Sequence, residues 1–185
     1  MNRYLLALTV PVLAIMPLAG CQSVGRGPLR ETSLSDEGRA AVKQLLVENE
    51  AAAKLSKDAK AVLVFPEVIK GGFMIGGFHG EGVMLKQGKL AGYYNTTGGS
   101  YGLQAGIQTY SYALFLMSDE DVNYIENSSG WEIGMGPSVT VVDEGIARSL
   151  TTTTGRSGVY CFFFDQKGLM AGLGLQGSKI TRIDN

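Results

Sequence analysis

The 185-residue chain carries 16 basic and 17 acidic side chains, a formal net charge of −1, and 26 glycines, about twice the ordinary share of ~7 %. An apolar fraction of 45 % is enough for a packed domain and excludes wholesale disorder. Near-neutrality excludes the basic footprint of a nucleic-acid binder, and the length allows one ordinary domain with a leader or tail.

In chain order, Met1–Arg3 is a short positive segment and Tyr4–Pro17 an apolar run interrupted by Pro11 and Pro17. The run is shorter than the ~20 residues that span a bilayer, so residues 1–20 read as a secretory leader. Leu18-Ala19-Gly20-Cys21 resembles the bacterial lipobox, in which the cysteine thiol is acylated and the chain is cut so that Cys21 becomes its first residue. Each buried acyl CH₂ contributes about 0.8 kcal/mol, and several chains on one residue anchor it effectively permanently. Gln22 follows where Asp would retain the protein at the inner membrane, so the sorting pattern implies the outer membrane, facing the periplasm. Residues 21–34, with Gly25, Gly27 and Pro28, read as the lipidated cysteine and a flexible tether, and residues 35–185 as the domain. With Cys21 acylated, Cys161 has no disulfide partner; its setting in Val159–Phe164 predicts a buried, inert thiol.

Ser35 is placed to cap a helix through about Ser56, in which Val42, Leu45, Leu46, Ala52, Ala53 and Leu55 recur at helical spacing. Its polar face mixes Glu37, Glu48 and Glu50 with Arg39, Lys43 and Lys54, which favours packing on its own domain over lying on a membrane. Beyond Lys60 the pattern becomes strand-like. Ala61–Phe65 reads as a buried strand stopped by Pro66, and Val83–Leu85 and Leu90–Tyr94 as a hairpin around Lys86–Lys89. Gln104–Met117 is a long strand candidate, and Ser118 with Asp121 marks a short helix ending near Gly130. Val139–Val142, Gly158–Phe164 and Leu169–Leu175 complete the strands. Glycines inside or beside strand-like sequence, such as Gly76, Gly77, Gly80, Gly82, Gly102 and Gly106, call for bends or close backbone approaches. The elements predict an α+β fold: an N-terminal amphipathic helix on a strongly coiled, mostly antiparallel glycine-rich sheet or small barrel, with one further short helix.

The chemistry of catalysis is poorly provided for. Gly98–Gly102 matches the G-x-S-x-G pattern around Ser100, but the one histidine, His79, precedes the serine and no helix follows. Gly172–Lys179 has the last two residues of a phosphate loop reversed and closes a strand instead of opening a helix. One histidine and no paired cysteines exclude a usual zinc site. The acids Asp119–Asp121 fit a helix start, and Asp143 and Glu144 fit a solvated loop; neither has EF-hand spacing. The expectation is a protein with no catalytic residue, metal or cofactor.

Ala59–Pro66, Lys70–Phe73, Gly80–Val83, Gly99–Gly106, Gly136-Pro137 and Lys167–Gly177, in this order, resemble the SYLF domain family, also called the Ysc84 actin-binding domain or DUF500. The resemblance implies a non-catalytic lipid-binding module. Eukaryotic members bind phosphoinositides and in some cases actin, and use a basic amphipathic N-terminal segment that this chain lacks. For a bacterial envelope it implies phospholipid membrane as the partner, with no actin. The alternative is a scaffold lipoprotein that recruits an envelope protein and has no lipid ligand beyond its anchor.

The chain's own residues offer Lys54, Lys57, Lys60 and Lys70 as contacts to anionic headgroups, each well-placed lysine being worth about 1 kcal/mol at a membrane surface. Lys57→Glu combined with Lys60→Glu is therefore expected to weaken cosedimentation of the unlipidated domain with anionic liposomes. Unchanged cosedimentation at low salt rejects the patch.

Overall fold

A two-residue turn organises the molecule. Gln87 and Gly88 both take positive φ, 49° and 74°, the conformation of a primed hairpin turn whose twist matches the flanking strands. The computed structural model describes residues 28–133, 135–143, 146, 158–168 and 177–183, so the leader, Cys21 and the Leu169–Leu175 run lie outside the described residues. In chain order the elements are α1 (Pro28–Glu48), α2 (Glu50–Leu55), β1 (Ala61–Lys86), β2 (Lys89–Leu116), α3 (Asp119–Asn127), β3 (Trp131–Glu132), β4 (Val139–Val141), β5 (Val159–Gly168) and β6 (Ser178–Ile183).

The turn joins β1 and β2, of 26 and 28 residues, which pair antiparallel from Ala61↔Leu116 to Lys86↔Lys89. A straight 26-residue strand would reach about 85 Å, roughly twice the diameter of a domain this size. The ribbon instead folds back on itself. A Cβ added at Gly80 would lie 2.7 Å from Val68 Cγ2 and 2.8 Å from the Glu67 carbonyl, although those positions would be about 40 Å apart in a straight strand. A Cβ at Gly82 would run into the Val64 carbonyl and the Phe65 ring. On β2, Tyr112 Oη donates to Thr96 Oγ1 at 2.7 Å, closing the same loop from the other side. The apex lies where Gly71, Gly72, Gly76 and Gly77 face Ile107, Gly106, Ser100 and Gly99, with the register shifting between Phe73 and Ile75.

Pro66 does not stop the strand. It sits in a bulge between Phe65 and Val68, where no ladder N–H is required of it, and its carbonyl accepts from Ser111 Oγ at 2.6 Å. The two separate strands expected on either side of it are one. Along the second edge of β2, β5 pairs with residues 108–116 and β6 with residues 93–98, so these two strands lie end to end. β3 pairs antiparallel with β6, and β4 adds to β5 as a parallel pair. The described residues thus form one strongly curled, mostly antiparallel six-stranded sheet, and with the helices the α+β class expected from sequence.

Helix α1 starts at Pro28, whose missing N–H costs nothing at a first helical position, and not at Ser35. Ser35 is buried within the helix and its Oγ accepts from Arg39 Nη1 at 2.7 Å. The predicted single helix to Ser56 is broken at Asn49, whose side chain caps α2 by accepting from Ala52 N–H at 3.0 Å. Gly38 lies against the Val83 side chain and 3.3 Å, for an added Cβ, from Val64 Cγ1. That places α1 across the seam where the two arms of β1 meet. Ser118 caps α3 as its sequence predicts, accepting from Asp121 N–H at 3.1 Å and donating to the Asp121 carboxylate at 2.6 Å. Lys86 Nζ, 2.8 Å from Glu126 Oε2, ties α3 to the hairpin end.

Two apolar layers result. Inside the curl are Leu63, Phe65, Val68, Tyr112, Leu114 and Trp131, with the Phe65 and Tyr112 rings stacked at 4.7 Å. Beneath the helices are Leu34, Leu45, Leu55, Val64, Val83 and Phe115. Because the arms touch at Gly82, Gly82→Val is expected to destabilise the protein by about 1–3 kcal/mol through overpacking. Thermal unfolding checks this; an unchanged midpoint would mean that the arms are not in contact.

Candidate functional site

Past the bulge, the odd-numbered residues of β1 share the face that carries Val83 and α1. Near the apex this face is bare. Ile69, Phe73 and Ile75 are 51 %, 73 % and 71 % exposed, and Ile107 of β2 is 71 % exposed. Ile107 pairs with Gly71, so it stands diagonally between Ile69 and Phe73 and makes the patch continuous. The helix stops short of it. The first turns of α1 sit over Pro66, Glu67 and Glu81, lining with them a cleft of about 420 Å³. There Arg30 Nη2 lies 3.4 Å from Glu81 Oε2, and Tyr93 Oη donates to the Glu31 carbonyl at 3.1 Å. Leu29, at the helix start, is itself exposed. The apolar rim is therefore flanked by Glu37, Glu67 and Glu81 with a single arginine, an arrangement that suits an apolar contact better than an anion site.

On the opposite face the same strand segments turn polar and buried. Lys70 pairs in register with Gln108, both are less than a tenth exposed, and Gln108 Oε1 has no hydrogen-bond partner. Tyr110 and Tyr112 continue this line, their rings 6.3 Å apart. Burial raises both phenols, Tyr110 to about 12 and Tyr112 well above its ordinary value, and raises Tyr94 to about 12.

The four sequence-predicted lysines do not form one patch. Lys54, Lys57 and Lys60 are exposed at the C-terminal end of the helical layer, with Lys54 Nζ 2.7 Å from Glu50 Oε1. Lys70 is buried on the inner face, nine residues into β1, about 30 Å along the strand. Cys21 lies outside the described residues. Cys161 is fully buried as a free thiol, and burial raises its pKa, so little thiolate is present at neutral pH. Ser100 pairs with Gly76 in the middle of β2, with strand on both sides, so Gly98–Gly102 lacks the strand-turn-helix setting of a nucleophile elbow. His79 is a surface residue, exposed within β1 opposite Thr97. Among the described residues no group of three His, Cys, Asp or Glu is placed to hold a metal ion.

The residues of the rim are not legible from the sequence while Pro66 reads as a strand end. Their signal is present: Ile69, Phe73 and Ile75 alternate at strand spacing straight through the glycines. β6 and β3 are not legible either, their sequences being short and polar.

Residues 97–185 match the family model described as Ysc84, Las17-binding protein actin regulator. The match covers β2 from Thr97 onward, α3 and β3–β6. No curated protein matches the chain.

The buried tyrosines set the alkaline limit of the fold. Their folded pKa values lie above the unfolded value of about 10, so the folded state keeps phenolic protons that the unfolded chain gives up. The stability they contribute is complete below pH ~10 and is lost as pH rises toward about 12. The urea midpoint is expected to fall across that window, with native phenolate absorbance lagging that of the unfolded chain. A flat midpoint there would contradict the burial of these phenols.

Proposed function

We propose that this chain, whose residues 97–185 match the Ysc84 (SYLF) family model, is an outer-membrane-anchored lipoprotein whose domain binds phospholipid without catalysing a reaction. A Ysc84 domain is a lipid- or protein-interaction module, and the lipobox-like Leu18–Cys21 supplies the anchor in this reading.

The observation that carries the proposal is the apolar rim. A monomeric soluble domain rarely leaves several large apolar side chains adjacent and uncovered. Here Ile69, Phe73, Ile75 and Ile107 occupy one continuous face. Seated at the headgroup–acyl boundary, they lose water contact without needing a charged partner, which agrees with a flank that is more acidic than basic. That acidic flank also favours a second reading, in which an envelope protein with an apolar, basic-edged surface occupies the rim and the domain is a scaffold.

Flotation of the chain lacking residues 1–21 with phosphatidylethanolamine–phosphatidylglycerol vesicles tests the proposal. Full burial of a large apolar side chain is worth about 1.5–3 kcal/mol, so removing two that are partly buried in lipid should cost at least ~1.4 kcal/mol, a tenfold loss. Phe73→Ser with Ile75→Ser is expected to weaken binding by about that factor at every salt concentration. If Lys57→Glu with Lys60→Glu abolishes binding while the rim pair leaves it intact, the contact belongs to the lysines. A variant-sensitive protein partner with no vesicle binding at all establishes the scaffold reading instead.

A further inference from the structure

The position at which the chain enters the domain bears on how the rim is presented. Gly38 marks where α1 crosses the seam at Val64 and Val83, and the residues toward its N-terminus, Leu34 and Arg30, lie over Pro66, Glu67 and Glu81. On both arms of β1 those positions are closer to the apex than the crossing point is. Ten helical residues separate Pro28 from Gly38, about 15 Å, which equals four to five residues of strand and brings Pro28 level with Val68–Ile69. The helix begins beside the rim.

Six residues connect Cys21 to Pro28, and the seven Cα–Cα steps between the two reach at most about 25 Å when fully extended. The 21-residue helix is about 30 Å long, and Lys54, Lys57 and Lys60 follow its far end. With Cys21 at the membrane surface, the connecting chain is too short to let that far end touch the same bilayer while Pro28 points away from it. It is ample for the apex.

We infer that the rim formed by Ile69, Phe73, Ile75 and Ile107 docks in cis on the bilayer that holds the Cys21 acyl chains, with Leu29 at its edge and the lysine end of the helical layer turned toward the aqueous compartment. The anchor and the rim act as two contacts on one membrane: acylation raises the effective concentration of the rim at that surface, so a patch too weak to hold a free domain is engaged continuously once tethered. This rests on the phospholipid-contact reading above and adds to it the orientation, the occupant and the membrane.

The test uses the full acylated chain reconstituted into phosphatidylethanolamine–phosphatidylglycerol vesicles, with a nitroxide on Ile75→Cys or on Lys57→Cys. Cys161 is buried and does not compete for the label. The expected result is a label at position 75 several-fold more accessible to oxygen than to a water-soluble nickel complex, and the reverse preference at position 57. Equal aqueous exposure at both positions overturns the inference, as does a lipid-facing label at position 57. Spin–spin broadening at position 75 that persists without vesicles also overturns it, because a second copy of the chain then covers the rim. The acyl mass on Cys21 is measured on the same sample. Its absence overturns cis docking while leaving the vesicle binding of the free domain, and so the rim itself, to be judged by the flotation experiment.

Discussion

The contact between the two arms of β1 is the constraint on which the other features depend. Gly80 and Gly82 bring backbone against the backbone and side chains of Glu67, Val68, Val64 and Phe65, an approach that a Cβ at either position would block. Without it, a 26-residue strand and its 28-residue partner form a flat ribbon with both faces exposed and far too long for its own core. With it, one face closes on itself around Phe65, Tyr112 and Trp131, while the other acquires a seam that a single helix spans. The Tyr112–Thr96 hydrogen bond and the stacked Phe65–Tyr112 pair hold the closure from within, in a setting dry enough that the phenols resist ionisation.

The same fold-back produces the uncovered surface. A helix laid across a seam covers the middle of the arms and not the apex, because the apex is where the ribbon turns away from it. Ile69, Phe73, Ile75 and Ile107 continue the apolar alternation of the covered face past the end of its cover. The inner face at the same level carries the buried polar pair Lys70 and Gln108 beside Phe78 and Tyr110. One bend thus puts exposed apolar side chains on the outer face and buried Lys70 and Gln108 on the inner one within a single pair of strands, with Ser100 mid-strand and Cys161 buried as a thiol in the core. What such a surface offers is contact, with a bilayer or with another macromolecule.

Features with a local cause are legible in the chain alone. The turn at Gln87-Gly88 needs only two residues able to take positive φ, and the cap at Ser118 needs only a hydroxyl three residues before Asp121. Features in which a long-range contact overrides a local rule are not. Pro66 reads as a strand end, yet Ser111, forty-five residues away in sequence, satisfies its carbonyl and lets a bulge carry the strand on. Ser35 reads as a cap, yet Leu34 beside it is needed in the core, so the helix starts earlier, at Pro28. The lysines read as a patch because Lys70 follows Lys60 closely in sequence, yet Lys60 is exposed before β1 while Lys70 is buried nine residues into it, about 30 Å along the strand.

The sequence by itself determined the class of the molecule: an α+β domain rich in strand glycines, whose residues 97–185 match the Ysc84 family model. Those follow from residue identity and short-range spacing. Only the tertiary structure decided that Ala61–Lys86 is one strand, that β5 and β6 share an edge of β2, and that the apolar residues at the apex remain uncovered beside the start of α1. The physical reason is that burial belongs to pairs of segments. Alternation shows which residues share a face, and whether that face is covered depends on where a distant helix runs out of length.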